Sequence, residues 1–161
     1  MIRILFIAES TPGKNRQFSN ANNLLFRTVK QAFEERYGRF ENDDAFLQFF
    51  SDTGFGLEHL CEKTITKESE AKRAEARQRC IPSLAERIKK EQPAGLIILM
   101  KSISEEVQEA VVQSEADTVK MIRATPYPAI SVKHRLDCIA EINAALEEAA
   151  TAGIIKKDIV R

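Results

Sequence analysis

The sequence predicts an α/β fold, a three-layer α/β/α sandwich around a four-stranded, mainly parallel sheet. Three observations carry this expectation. Ile2–Ala8 and Gly95–Met100 are continuous apolar runs of the kind buried on both faces of a parallel sheet. Apolar strand-like runs alternate along the chain with stretches whose apolar residues recur every three or four positions. Such alternation gives parallel strands joined by right-handed helical crossovers. The length of 161 residues fits one domain covering residues 1–161, large enough to bury a core without disulfides or metal staples.

In chain order, Ile2–Ala8 is the first strand and ends in Glu9-Ser10-Thr11-Pro12-Gly13. Lys14–Asn23 is polar and loop-like. Leu24, Leu25, Thr28, Val29, Ala32 and Phe33 then define one face of a helix that closes near Gly38. Phe46, Leu47, Phe49 and Phe50 predict a short helix capping the core edge. Gly54–Cys61 is a short, weakly signalled second strand. Lys67–Arg79 is charged and rich in helix formers, which suits a solvated helix. The apolar step resumes at Ile81, Leu84, Ala85 and Ile88, and stops before Pro93. Gly95–Met100 is the third strand. Ser102 and Glu105 have the spacing of a capping box opening a helix through Val107, Ala110 and Val111. Thr118–Ala124 is the fourth strand. Thr125–Lys133 holds two prolines and is expected to be irregular. The last helix runs from about Arg135 to Ala150, and Gly153 stops it.

Composition narrows the function classes. Twenty-four basic and 24 acidic residues leave no net charge, so a nucleic-acid footprint can exist only as a local patch. No apolar run approaches the ~18–20 residues that span a bilayer, and the amino-terminal run reads as a strand rather than a signal peptide. Cys61, Cys80 and Cys138 are odd in number and form no C-x-x-C, so neither a zinc nor an iron–sulfur site is expected. Read as free thiols, they suit a reducing cytoplasm. No cofactor or metal is expected. Phosphate loops of the GxGxxG and GxxxxGK[ST] types and the G-x-S-x-G elbow are absent.

Ligands of such sheets bind beyond the carboxyl ends of the strands. Three segments there carry unusual residues: Glu9–Gly13, then His59-Leu60-Cys61-Glu62, then Thr125–Ala129 with Ser131, Lys133, His134 and Arg135. An apolar strand followed by Ser10-Thr11-Pro12-Gly13, a polar loop with Phe18, and Asn23-Leu24-Leu25-Phe26-Arg27 resembles the first motif region of the uracil-DNA glycosylase superfamily. Pro126-Tyr127-Pro128-Ala129 with His134-Arg135 is similar to its second motif. The chain departs from that pattern at Thr11, where an Asp, Asn or Ala is usual, and at Tyr127, where a His is usual.

The resemblance implies excision of a damaged or deaminated base flipped out of DNA, in single strands or duplex. It implies Phe18 stacking on the base and His59 reading its edge. Glu9, or in second place Thr11, orients water and stabilises the oxocarbenium-like sugar. Tyr127 or His134 stabilises the leaving base, and Ser131, Lys133 and Arg135 hold phosphates, with Lys14 and Arg16 on the first loop adding salt-sensitive contacts. A pocket lined by Glu9, Phe18, His59 and Tyr127 is expected, on a monomer that does not enter membranes. Two alternatives stand beside this one. The first is a catalytically silent relative that binds a nucleobase, a nucleotide or a nucleic acid. The second is an unrelated enzyme using Cys61 as nucleophile with His59.

Overall fold

The computed structural model describes residues 1–10, 23–65 and 69–157. Its four strands are β1 (Ile4–Ser10), β2 (Phe55–Cys61), β3 (Gly95–Ile98) and β4 (Met121–Ala124). All pair in parallel, in the order β2-β1-β3-β4. The two runs predicted as central strands are indeed neighbours at the centre, in the register Ile4↔Gly95 to Ile7↔Ile98. The helices are α1 (Leu24–Tyr37), α2 (Asp43–Asp52), α3 (Glu70–Glu91), α4 (Ser104–Ser114) and α5 (Val132–Thr151).

Each face of the sheet buries its own core. Ile4, Phe6, Phe55, Ile97, Leu99 and Met121 pack against α1, α2 and α5. Leu5, Ile7, Leu60, Leu96 and Ile98 pack against α3 and α4. The strict alternation along β1 and β3 is the two-residue period of a strand with both faces covered. The connection from β1 goes to the first face and that from β3 to the second. The carboxyl ends of β1 and β3 therefore frame the crevice where open parallel sheets take their ligands.

Local chemistry sets the helix boundaries. Asn23 caps α1 by accepting a hydrogen bond from the Leu25 N–H at 2.9 Å, and Asn42 caps α2 through the Ala45 N–H at 2.8 Å. At Gly38, which ends α1, φ is +88°, a conformation that a side chain would strain. α2 buries Phe46 and Phe50, the edge cap expected from its aromatics.

Several expectations are corrected. Glu9 and Ser10 lie inside β1, and His59, Leu60 and Cys61 lie inside β2 rather than beyond it. β4 begins at Met121, after Lys120 N–H has already bonded to the Ala94 carbonyl. Ser102 and Glu105 form no capping box. Lys101–Ile103 is a 3₁₀ turn, and α4 starts at Ser104 with no side-chain cap. α5 begins three residues early, at Val132, because Ser131 accepts a hydrogen bond from the His134 N–H at 3.1 Å. α3 runs unbroken through Pro82, joining the charged stretch and the apolar stretch into one helix.

The free-thiol expectation holds only for Cys138, which is buried. Cys61 and Cys80 form a disulfide across Cα atoms 5.2 Å apart, tying the end of β2 to α3. A nucleophilic Cys61 paired with His59 is thereby excluded, because its sulfur is already bonded. The inference of a reducing compartment loses its premise with it. Reduction of this bridge, which closes a span of 19 positions, should lower stability by about 3 kcal/mol on the loop-entropy scale. Urea unfolding with and without reductant measures it. Coincident curves would show that the bridge adds no constraint.

Candidate functional site

At the carboxyl end of β1, Glu9 turns toward α3. Its Oε1 accepts from Arg73 at 2.6 Å, and its Oε2 accepts from Arg77 Nε at 2.8 Å and from Arg77 Nη2. Arg77 also donates to Glu70 at 3.1 Å. The Arg77 side chain is only 6 % exposed, while Glu70 is 75 % exposed. A guanidinium so buried needs a partner of comparable burial, and Glu9 supplies it. Both Glu9 oxygens are thus occupied by guanidinium donors, and a water must compete with them. Sequence reasoning missed these arginines by reading the charged stretch as a solvated face. The available signal was Glu9 itself, a carboxylate within a buried strand, set against an i, i+4 arginine pair.

His59 lies on β2, opposite Ala8 in register. Its neighbour Glu58 turns to α3 and accepts from Arg87 at 2.6 Å. By strand alternation His59 faces the other side of the sheet, away from both Glu58 and Glu9. Arg87 further donates to the His59 and Leu60 carbonyls at 2.6 and 3.2 Å, covering part of the edge strand. Burial holds the His59 imidazole below its ordinary pKa. Arg87 acts in the same direction, and Glu58 opposes it. The unfolded chain therefore binds this proton more readily than the folded one. Stability should be intact above about pH 6.5 and decline as pH falls below it toward the lower folded value. Urea midpoints followed from neutral to mildly acidic pH check this, and His59→Gln should flatten the profile. An equal slope in that variant would assign the effect to other groups.

Beside the disulfide, at the end of β2, is a cavity of about 480 Å³. Cys61 and Cys80 form part of its wall, and Lys63, Lys72 and Arg79 give it basic character against the single carboxylate of Glu62. It includes none of the residues predicted to line a pocket.

The segment beyond β4 is anchored at Thr125, which is fully buried. Its N–H bonds to the Ile98 carbonyl at 2.8 Å, and its Oγ1 lies 3.4 Å from the Cys138 sulfur. Burial pushes the Cys138 thiol up, so this cysteine is inert packing. Tyr127 follows, half-buried, and then α5. The first turn of α5 holds three basic residues and no acidic one, Lys133, His134 and Arg135. Lys133 pairs with Asp137 at 3.0 Å, Arg135 donates to Gln31 of α1 at 2.9 Å, and the His134 Nδ1 lies 2.7 Å from Ser131 Oγ. Ile130, Val132 and Leu136 stand exposed among them.

The predicted constellation is therefore only partly assembled. Glu9 and His59 sit on neighbouring strands but on opposite faces. Tyr127 follows β4, whereas His59 lies on β2 at the other edge of the sheet, and those two strands are three strand spacings or about 14 Å apart. Ser131, Lys133, His134 and Arg135 do come together, at one helix start. Thr11, Lys14, Arg16 and Phe18 lie outside the described residues. Among the described residues, no group of three or more His, Cys, Asp or Glu could hold a metal ion. No helix among them is long and apolar enough to cross a membrane.

No family model matches this chain, and no curated protein matches it.

Proposed function

We propose that this chain is a divergent DNA glycosylase-like protein that hydrolyses the N-glycosidic bond of a damaged or deaminated base flipped out of DNA. The observation that carries the reading is the first turn of α5. Three basic side chains crowd a helix N-terminus, where the macrodipole disfavours cations. A sequence that accepts this local cost gains a site where side-chain cations and backbone N–H groups converge on phosphate. The apolar Ile130, exposed beside them, suits insertion between unstacked bases. Lys133 forms only a surface pair with Asp137, which a phosphate can displace at small cost, while Arg135 is held half-buried against Gln31.

In this reading Tyr127 donates its hydroxyl to the leaving base, or His134 does so through its imidazole. Glu9 stabilises the developing positive charge on the sugar and orients water, while Thr11, Phe18 and His59 take the roles the resemblance implies. The reaction needs water and no cofactor. The protein acts as a monomer, and Lys14 and Arg16 add phosphate contacts.

A second reading is favoured by a specific observation. The arginine clamp on both Glu9 oxygens leaves that carboxylate poorly placed to activate water. A glycosylase-like protein without catalysis would then bind a nucleobase, a nucleotide or a nucleic acid at the same edge.

Oligonucleotides containing uracil, hypoxanthine or xanthine, single-stranded and duplex, separate the two. Excision leaves alkali-labile abasic sites. In an active enzyme Glu9→Gln should slow excision by about 10²–10⁴-fold, the contribution of a general base. Tyr127→Phe should cost about 10²-fold with the fold undisturbed. Salt-sensitive binding without excision, weakened by Lys133→Glu with Arg135→Glu, would select the second reading. Neither excision nor such binding would overturn both.

A further inference from the structure

On the face of the sheet away from α5, α3 and α4 form the walls of an open cleft of about 410 Å³. Glu105, Glu106 and Glu109 of α4 line it, facing Gln78, Ile81 and Pro82 of α3. No cationic residue is among its walls. Glu105 and Glu109 are exposed at the rim, and Glu109 accepts a hydrogen bond from the Gln113 amide at 3.1 Å. Glu106 differs. It is 9 % exposed, and its Oε2 is shielded from water with no hydrogen-bond partner.

An unpartnered carboxylate oxygen at that depth is costly, and the favourable first turn of α4 gives it no hydrogen-bond partner. The opposite wall adds a second unusual feature. Pro82 has no N–H to offer the Gln78 carbonyl, and its ring disfavours a helix interior, yet α3 carries it there. Pro82 and Ile81 also present apolar surface to the cleft. The site thus combines a buried anionic acceptor, a carboxylate rim and an aliphatic wall. A metal ion fits poorly, since no three metal-ligating side chains among the described residues converge. A cation on an aliphatic stem fits well. The stem lies along Ile81 and Pro82 and the head reaches Glu106. Guanidinium is the better head, because it is weakly hydrated, planar and matched to a carboxylate in two parallel hydrogen bonds.

We propose that the α3–α4 cleft is a binding site for an alkylguanidinium group, the chemistry of an arginine side chain, with Glu106 as its buried counter-charge. The site lies between α3 and α4 and does not depend on base excision.

The test is a titration of the isotope-labelled full chain by amide NMR at constant ionic strength. The probes are n-butylguanidinium, n-butylammonium, magnesium ion and a short arginine-containing peptide. Saturable shifts are expected around 78–82 and 105–109 with butylguanidinium, and weaker ones with butylammonium. Glu106→Gln, which keeps the shape and removes the charge, should weaken binding at least about tenfold, the loss of one charge-assisted pair. Glu109→Gln, at the exposed rim, should weaken it less and serves if the first variant folds poorly. Tighter binding of the peptide than of butylguanidinium would identify a peptide source, and equal binding a small molecule. The absence of saturable shifts at millimolar probe, affinity unchanged in both variants, or saturation by magnesium in place of butylguanidinium would each overturn the proposal.

Discussion

Glu9→Ala should lower the free energy of unfolding by about 3–5 kcal/mol, the cost of leaving a buried charge without its counter-ion. The stranded charge is Arg77. Its side chain would retain only the exposed Glu70, a contact worth little in solvent. Arg73, less buried, would turn outward at smaller cost. The pair is a position-specific brace rather than a source of net stability. A double change of Glu9 and Arg77 to leucine should therefore recover most of the loss, since apolar replacements of buried ion pairs are often neutral. Urea unfolding of the two variants gives the comparison. A loss under about 1 kcal/mol in Glu9→Ala would mean that water reaches Arg77 freely. The same brace bears on catalysis. Excision by Glu9→Gln has to be measured at a temperature where both proteins are folded.

Phe33→Ala should cost about 3–5 kcal/mol and lower Tm by roughly 10 °C for a chain of this size. Phe33 is fully buried on α1. Its ring lies 5.0 Å from Phe55, 5.5 Å from Phe46 and from Phe50, and 6.0 Å from Phe6. It thus joins α1 to α2, β1 and β2 in one aromatic cluster. Tilted and edge-on arrangements of this kind add to the area buried. Truncation leaves a cavity walled by rigid rings that relax poorly. Phe33→Leu should retain more than half of what alanine loses. Calorimetry decides it, and equal losses in the two variants would show that shape rather than volume governs the site.

The sheet was legible where its strands are central. β1 and β3 are covered on both faces, so every residue of Ile4–Ile7 and of Gly95–Ile98 is buried and the apolar run is continuous. β2 and β4 are edge strands, and their intermediate positions, such as Glu58, His59 and Arg123, weaken the signal. Helix starts were legible where a cap follows local rules, as at Asn23, and misread where a 3₁₀ turn or an early cap intervenes, as at Ser102 and Ser131. The candidate site was legible at α5, because Ser131, Lys133, His134 and Arg135 are neighbours in sequence and remain so in space. Elsewhere it was not. Glu9 and His59 share a sheet edge, but strand alternation turns them to opposite faces.

The sequence by itself determined the fold class, the central strand pair and the alternation of strands with helices, because apolar periodicity is a local property that burial enforces. Only the tertiary structure decided which groups meet. Glu9 finds Arg73 and Arg77 across 64 and 68 positions, and Cys61 finds Cys80 across 19. Glu106 is left without a partner for its inner oxygen. Charge pairing and disulfide formation depend on distances of a few ångströms between side chains. Those distances are set by how the helices pack on the sheet and are not written in the spacing of residues along the chain.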